Sequence, residues 1–137
     1  MNLDLYSDRA KSAVQAAQSL ALARRHQQFA PEHLLKVLLE ERDGLARNLI
    51  TAAGGDAAKA ERAVETALSK RAQVSGGSGQ LYLDGDTARV FATAEASAKK
   101  AGDQFVTTER LLSAIAKDGG VAATVLASVG ATPDALE

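Results

Sequence analysis

Two stretches of this 137-residue chain carry one pattern 77 positions apart: FAPEHLLKVLLEERDG at 29–44 and VTTERLLSAIAKDGG at 106–120. Glu32 falls on Glu109, Leu34 and Leu35 on Leu111 and Leu112, and Leu38 on Ile115. Upstream, Ala10, Ala13, Val14, Ala17 and Ala21 fall on Thr87, Val90, Phe91, Ala94 and Ala98 at the same offset. Downstream the offset drops to 76, which sets Leu49, Ile50 and Gly54 against Val125, Leu126 and Gly130. Loss of one residue from a surface connection accounts for the change. Short helices with one apolar face each do not easily close a core, but a unit packed against its own copy does. The expected fold is therefore all-α, with two pseudo-twofold-related repeats of about four helices each.

Local signals place the helices. Ser7 suits an N-cap, and the apolar positions from Ala10 to Ala21 carry a first helix to about Arg25. Pro31 suits the first turn of a second helix, which buries Leu34, Leu35, Leu38 and Leu39 and stops near Asp43-Gly44. A third takes Leu45 to Ala53, and Asp56 caps a fourth marked by Ala60, Ala63, Val64, Ala67 and Leu68. The Gly/Ser-rich stretch AQVSGGSGQLYL reads as a loop, so the repeats are expected at 1–71 and 84–137 with a linker at 72–83. Thr132 and Pro133 repeat the start of the fourth helix just before the sequence stops, which predicts a piece of a longer chain.

Composition excludes several functions. Lys and Arg number 16 against 17 Asp and Glu, so no excess charge draws the domain to nucleic acid or an acidic membrane. Without cysteine there is no disulfide framework, thiol nucleophile or zinc thiolate site. No run approaches the roughly 20 apolar residues of a membrane span, and MNLDLYSDRAKS lacks the pattern of a secretory signal, so a cytoplasmic location is expected. Alanine supplies 29 residues, which favours closely packed helices.

Nothing here organises catalysis. GGSGQLYLDG lacks the lysine and hydroxyl that a phosphate-binding loop must place at a helix start, so this stretch is not expected to be an enzyme and has no catalytic, cofactor or metal residues of its own. His26 and His33 lack the spacing of a zinc helix motif and read as solvent-facing or cap-region residues. Glu32 and Glu109 each stand in the first turn of a leucine-rich helix, where a carboxylate complements the dipole. Asp103, beside Gly102, is either a turn residue or part of a polar rim. Leu3, Leu5 and Tyr6 are expected to pin the N-terminal segment to the body.

AQSLALARRHQQFAPEHLLKVLLEE in the first unit and GDQFVTTERLLSAIAKDGG in the second resemble the Clp amino-terminal double-repeat family over essentially the whole chain. Within it, the opening MNLDLYSDRAKSAVQAAQSLALA and the GDQFVTTE turn are most similar to the ClpB branch of AAA+ disaggregases. The resemblance implies a mobile substrate-recognition and regulatory module on a homohexameric ATPase ring, whose missing domains use ATP and magnesium and work with the DnaK chaperone system. Unfolded or aggregated proteins are the implied clients, bound in a groove near the repeat junction whose polar positions match Ser7, Asp103 and Glu109. Val90, Phe91, Leu111 and Leu112 are candidate groove walls, although the same periodicity assigns them to the core. The alternative is an adaptor- or phosphoarginine-binding N-domain of the ClpC and ClpA type, but PEH at 31–33 and TER at 108–110 depart from the TEH sequence of those relatives. Gating of the ring entrance is a third reading. The isolated domain is expected to be monomeric.

Overall fold

In a computed structural model describing residues 2–41, 44–73 and 81–136, all the helices but the two that follow Gly44 and Gly120 begin where the sequence supplies a capping residue or a proline. Ser7 Oγ accepts from the amide of Ala10 at 3.2 Å and opens α1 (Asp8–Ala23). Pro31 sits first in α2 (Pro31–Glu40), where its missing N–H costs nothing. After α3 (Leu45–Ala52), the Asp56 carboxylate accepts from the Lys59 amide at 3.1 Å and opens α4 (Ala57–Ser69). Asp84 caps α5 (Gly85–Ala101) and Thr107 caps α6 (Thr108–Asp118), with α7 (Val121–Ser128) following. Thr132 then accepts from the Ala135 amide at 3.2 Å and starts one further turn. No single helix among the described residues is long and apolar enough to cross a membrane.

The sequence offset recurs in the hydrogen bonds. His26 N–H reaches the Ala21 carbonyl and Asp103 N–H the Ala98 carbonyl, both at 2.9 Å. Each closes a helix through a left-handed residue, Arg25 at φ 60° and Gly102 at φ 78°. The fourth-helix cap of Asp56 on Lys59 is matched, 76 residues later, by that of Thr132 on Ala135. Two parallel backbone bridges also map onto each other. Tyr6 pairs with Val106, while β1 (Gln28–Phe29) pairs with β2 (Tyr82–Leu83), Phe29 opposite Leu83. Moving both pairs by 77 interchanges them, since Tyr6 falls on Leu83 and Phe29 on Val106.

The core lies between the two copies. Val14, Leu34, Leu35 and Ile50 from the first meet Val90, Phe91, Leu111, Leu112 and Leu126 from the second in one buried cluster. Tyr6 meets Phe91 edge-on at 5.9 Å between ring centroids, and Phe29 lies 6.1 Å from Phe91. Buried alanines at 10, 17 and 21 leave α1 little side-chain bulk on its inner face.

Two boundaries differ from expectation. The first helix ends at Ala23 because Arg25 turns left-handed. The segment 72–83 is not all loop: Tyr82–Leu83 form β2, with Tyr82 N–H on the Gln27 carbonyl at 2.9 Å and Asp84 N–H on the Phe29 carbonyl at 3.1 Å. Residues 74–80 of the expected linker, and Asp43 at the expected stop of the second helix, lie outside the described residues.

Left-handed backbone costs a non-glycine residue roughly 1–2 kcal/mol, and glycine gives back about 0.5–1 kcal/mol through unfolded-chain entropy. Arg25→Gly is therefore expected to raise stability by about 0.5–1 kcal/mol, read as a higher urea midpoint with unchanged slope. Gly102→Ala should lower it by about 1 kcal/mol, because open space around that site leaves only backbone strain. Leu112→Ala, a truncation in the shared core, should cost about 2–5 kcal/mol in the same assay.

Candidate functional site

The Tyr6–Val106 bridge brings the starts of α1 and α6 together. Ser7 N–H donates to the Val106 carbonyl at 2.9 Å, and Val106 N–H to the Leu5 carbonyl at 2.8 Å. Tyr6 is buried beneath this seam and its hydroxyl donates to Glu95 at 2.6 Å. Burial, then the hydrogen bond and charge of Glu95, push the Tyr6 phenol far above its ordinary range.

Ser7, Asp103 and Glu109 all stand on this seam, but they share no hydrogen bond. The Ser7 hydroxyl is used in capping α1. Asp103 is exposed and receives Arg110 Nε at 3.0 Å, while Arg110 also donates to Ser97 at 3.1 Å. Glu109 is exposed in the first turn of α6, and no hydrogen bond or ion pair reaches it among the described residues. Val90, Phe91, Leu111 and Leu112 are elsewhere. All four are buried in the shared core, so they are not available as walls of a surface groove. Helical periodicity identifies an apolar face, and in these helices that face is turned inward.

Exposed large apolar side chains occur on helices and on β2, at Leu22, Leu45, Tyr82, Leu83 and Val121, as well as at Leu5 and Phe105, and these last two share one cleft. Leu5 is 46% exposed and Phe105 43%, and with Val106, Ala96 and Asp103 they line a cleft of about 350 Å³. Glu95 and Lys99 supply one charge of each sign to the same cleft. A counterpart of about 590 Å³ lies at the β1–β2 seam, lined by His26, Gln27, Gln28, Arg71 and Tyr82. The 77-residue shift places Asp103 on His26, Phe105 on Gln28 and Leu5 on Tyr82. One cleft has stayed apolar and the other is polar.

The polar seam is also cross-linked by Arg71. Its guanidinium donates to Glu32 at 2.8 Å and to Gln28 at 3.3 Å, and approaches Asp84 at 4.0 Å. Glu32 is only 3% exposed, whereas its counterpart Glu109 faces solvent. Asp84 is the counterpart of Ser7, since each caps the first long helix of its copy. A third cleft, of about 420 Å³, opens between α1, α2 and α3 over Ala13, Ala16, Val37, Leu38 and Leu45, next to Thr108.

The histidines are not solvent-facing. His26 is 4% exposed and His33 0%, and His26 Nδ1 lies 2.8 Å from His33 Nε2. The cap-region reading fits His33, whose Nδ1 accepts from the Ala30 amide at 3.0 Å. Burial lowers the His33 pKa to about 4, helped by His26 and Arg71, and burial followed by Arg71 and Arg24 lowers that of His26. The offset held a signal for this pair, because His26 and His33 fall on Asp103 and Arg110, which also bond each other. No group of three or more His, Cys, Asp or Glu among the described residues is placed to hold a metal.

A family model described as the Clp repeat (R) N-terminal domain matches residues 5–129. The chain is 52% identical over 137 residues to the chaperone protein ClpB of Mesorhizobium japonicum and 53% identical over 137 residues to that of Agrobacterium fabrum. Each alignment covers 99% of this chain but 16% of the relative, so the chain spans about a sixth of the length of those proteins. Among solved structures, the Hsp104 N-terminal domain of Candida albicans superposes with a TM-score of 0.84 at 19% identity, covering 96% of this chain and 85% of that one. The N-terminal domain of the ClpV1 ATPase from E. coli gives 0.80 at 20% identity, covering 98% and 82%. These two share the fold. With the family model running through both copies and the ClpB identities extending from end to end, the chain belongs to the Clp repeat N-terminal domain family, on its ClpB side.

Proposed function

We propose that this domain is the client-recognition module of a ClpB-type disaggregase, and that it takes up apolar segments of unfolded or aggregated protein at the Leu5–Phe105 cleft. The observation that carries the reading is the exposure of two large apolar side chains on the rim of a mostly apolar cleft, beside Asp103. Backbone hydrogen bonds from Ser7 and Val106 hold the cleft in place, so it is formed before a client arrives. A contact of ~200 Å² supplies ~5 kcal/mol gross, against ~4–15 kcal/mol lost in association. Binding is accordingly weak and indifferent to sequence. That suits a module that must release what it captures to a pulling ring.

In the whole protein the clients pass to AAA+ domains that use ATP and magnesium, in a cytoplasmic homohexamer that works with the DnaK system. The domain alone is a monomer without nucleic-acid or membrane partners. Phosphoarginine reading is less well supported, because Glu32, one of its two receiving carboxylates, is buried and engaged by Arg71. Entrance gating without capture would leave the exposed Leu5 and Phe105 without a role.

Amide NMR of the isotope-labelled domain, titrated with a permanently unfolded protein, tests the reading. Shifts are expected to cluster at Leu5, Ser7, Asp103–Val106 and Glu109. Phe105→Ser should weaken the apparent affinity about tenfold, equivalent to ~1.4 kcal/mol, and Ser7→Ala, Asp103→Ala and Glu109→Ala by smaller factors. A saturating client that leaves these amides unmoved would sink capture at this cleft and favour gating.

A further inference from the structure

We propose that the His26–His33 pair is a proton-operated latch on the loop that joins α1 to α2 and carries the β1–β2 contact between the two copies.

Hydrogen-bond roles leave one proton arrangement for the closed pair. His33 Nδ1 accepts from the Ala30 amide, so neutral His33 carries its proton on Nε2. That N–H faces His26 Nδ1 at 2.8 Å, so His26 Nδ1 is the acceptor and its own proton sits on Nε2. A proton added at His26 Nδ1 meets the His33 Nε2–H, donor against donor. A proton added at His33 Nδ1 meets the Ala30 N–H. Either addition breaks a buried hydrogen bond, and leaving such a group unpaired is unfavourable.

The surroundings do not compensate. Arg24 caps the C-terminus of α1 and Arg25 follows it, and Arg71 follows α4 beside His26 in the polar cleft. On α2, Glu32 is bound to Arg71; on α4, Glu65 is held by Arg24 at 2.6 Å and by Lys36 of α2 at 3.4 Å. At the end of β2, Asp84 faces Arg71, and β1 contributes only the uncharged Gln28 and Phe29. Each nearby carboxylate already has a cation.

The loop has a mechanical role. The Phe29 carbonyl accepts from Thr87 Oγ1 at 2.7 Å and from the Asp84 amide at 3.1 Å, which ties the start of α5 to the first copy. Opening the pair releases the α2 cap, β1 and this tie together. The equivalent place in the second copy holds Asp103 and Arg110, an ion pair without histidine. Among the described residues the histidine pair occurs at one seam and not at the other.

The direction follows from the shifts. His33 is lowered from 6.5 to about 4 and His26 is lowered too, both chiefly by burial. The closed form binds fewer protons than the open one, so its stability is full above about pH 6.5 and is lost as pH falls towards about 4. For each histidine held neutral, the opening constant rises ~tenfold per pH unit over that window.

Amide hydrogen exchange on the domain between pH 7 and 5, corrected for intrinsic rates, measures the opening directly. Ala30, Tyr82 and Asp84 are expected to open ~5–30-fold more at pH 5.5 than at 6.5, the span from one to two histidines held neutral, while Ser7 and Val106 at the other seam stay constant. Ring-nitrogen NMR should show both histidines neutral at pH 6, each with its proton on Nε2. His26→Gln, whose amide oxygen can accept from His33 without titrating, should reduce the pH slope while keeping the loop closed at pH 7. If that variant does not fold, the ring spectrum of the unaltered domain decides. Histidines that titrate near 6.5, or loop amides whose opening ignores pH, would overturn the latch.

Discussion

Everything in this fold hangs on two short exchanges of backbone between the copies. The segment before the first long helix of one copy pairs with the segment before the second helix of the other: Tyr6 with Val106, and Tyr82–Leu83 with Gln28–Phe29. A few hydrogen bonds contribute only about 0.5–1.5 kcal/mol each, so the bridges are not strong in themselves. They matter because Tyr6, Phe29 and Val106 are driven into the core by the same contacts, against Phe91. With these starting points fixed, α1 begins beside α6 and α5 beside α2. The apolar faces of all four then have one way to meet.

The helical part of this arrangement was legible because its signals are local. Ser7, Asp56 and Thr132 cap where a side-chain oxygen stands three residues before a free amide, and the leucines of α2 and α6 state their buried face by spacing. The strands were not legible, since two residues give no periodicity and the partner of Phe29 lies beyond the Gly/Ser run. Arg25 was missed for a related reason. Nothing in its own neighbourhood announces a left-handed backbone, though the 77-residue shift sets it on Gly102.

At the seams, polarity was a poor guide to exposure. His26 and His33 read as solvent-facing or cap-region residues and Glu32 as a first-turn carboxylate, yet all three are buried, because each finds a partner contributed by another element or by the far end of the loop. Leu5 and Phe105 err in the opposite direction. They flank a bridge whose backbone must stay at the surface to pair, and that geometry leaves them partly in water. Polar groups become buried when pairing is available, and apolar groups stay exposed when the backbone that carries them is held elsewhere. Single-residue hydropathy contains neither condition.

Duplication explains why the two seams can differ without the fold suffering. Each needs the same backbone bridge and the same helix starts, and those demands are met by main-chain groups and caps. The side chains around the bridge are left free to diverge. At one seam Arg71, Glu32 and Asp84 bring charge to the cleft, and two buried histidines close the loop behind them. At the other, Leu5 and Phe105 leave an open apolar cleft beside an ion pair on its rim. A symmetric pair of open clefts would expose twice the apolar surface and invite association between copies. Lining one cleft with polar groups while the other stays apolar lets two ends of one scaffold offer different chemistry, and that asymmetry is what a duplicated scaffold can provide and a single repeat cannot.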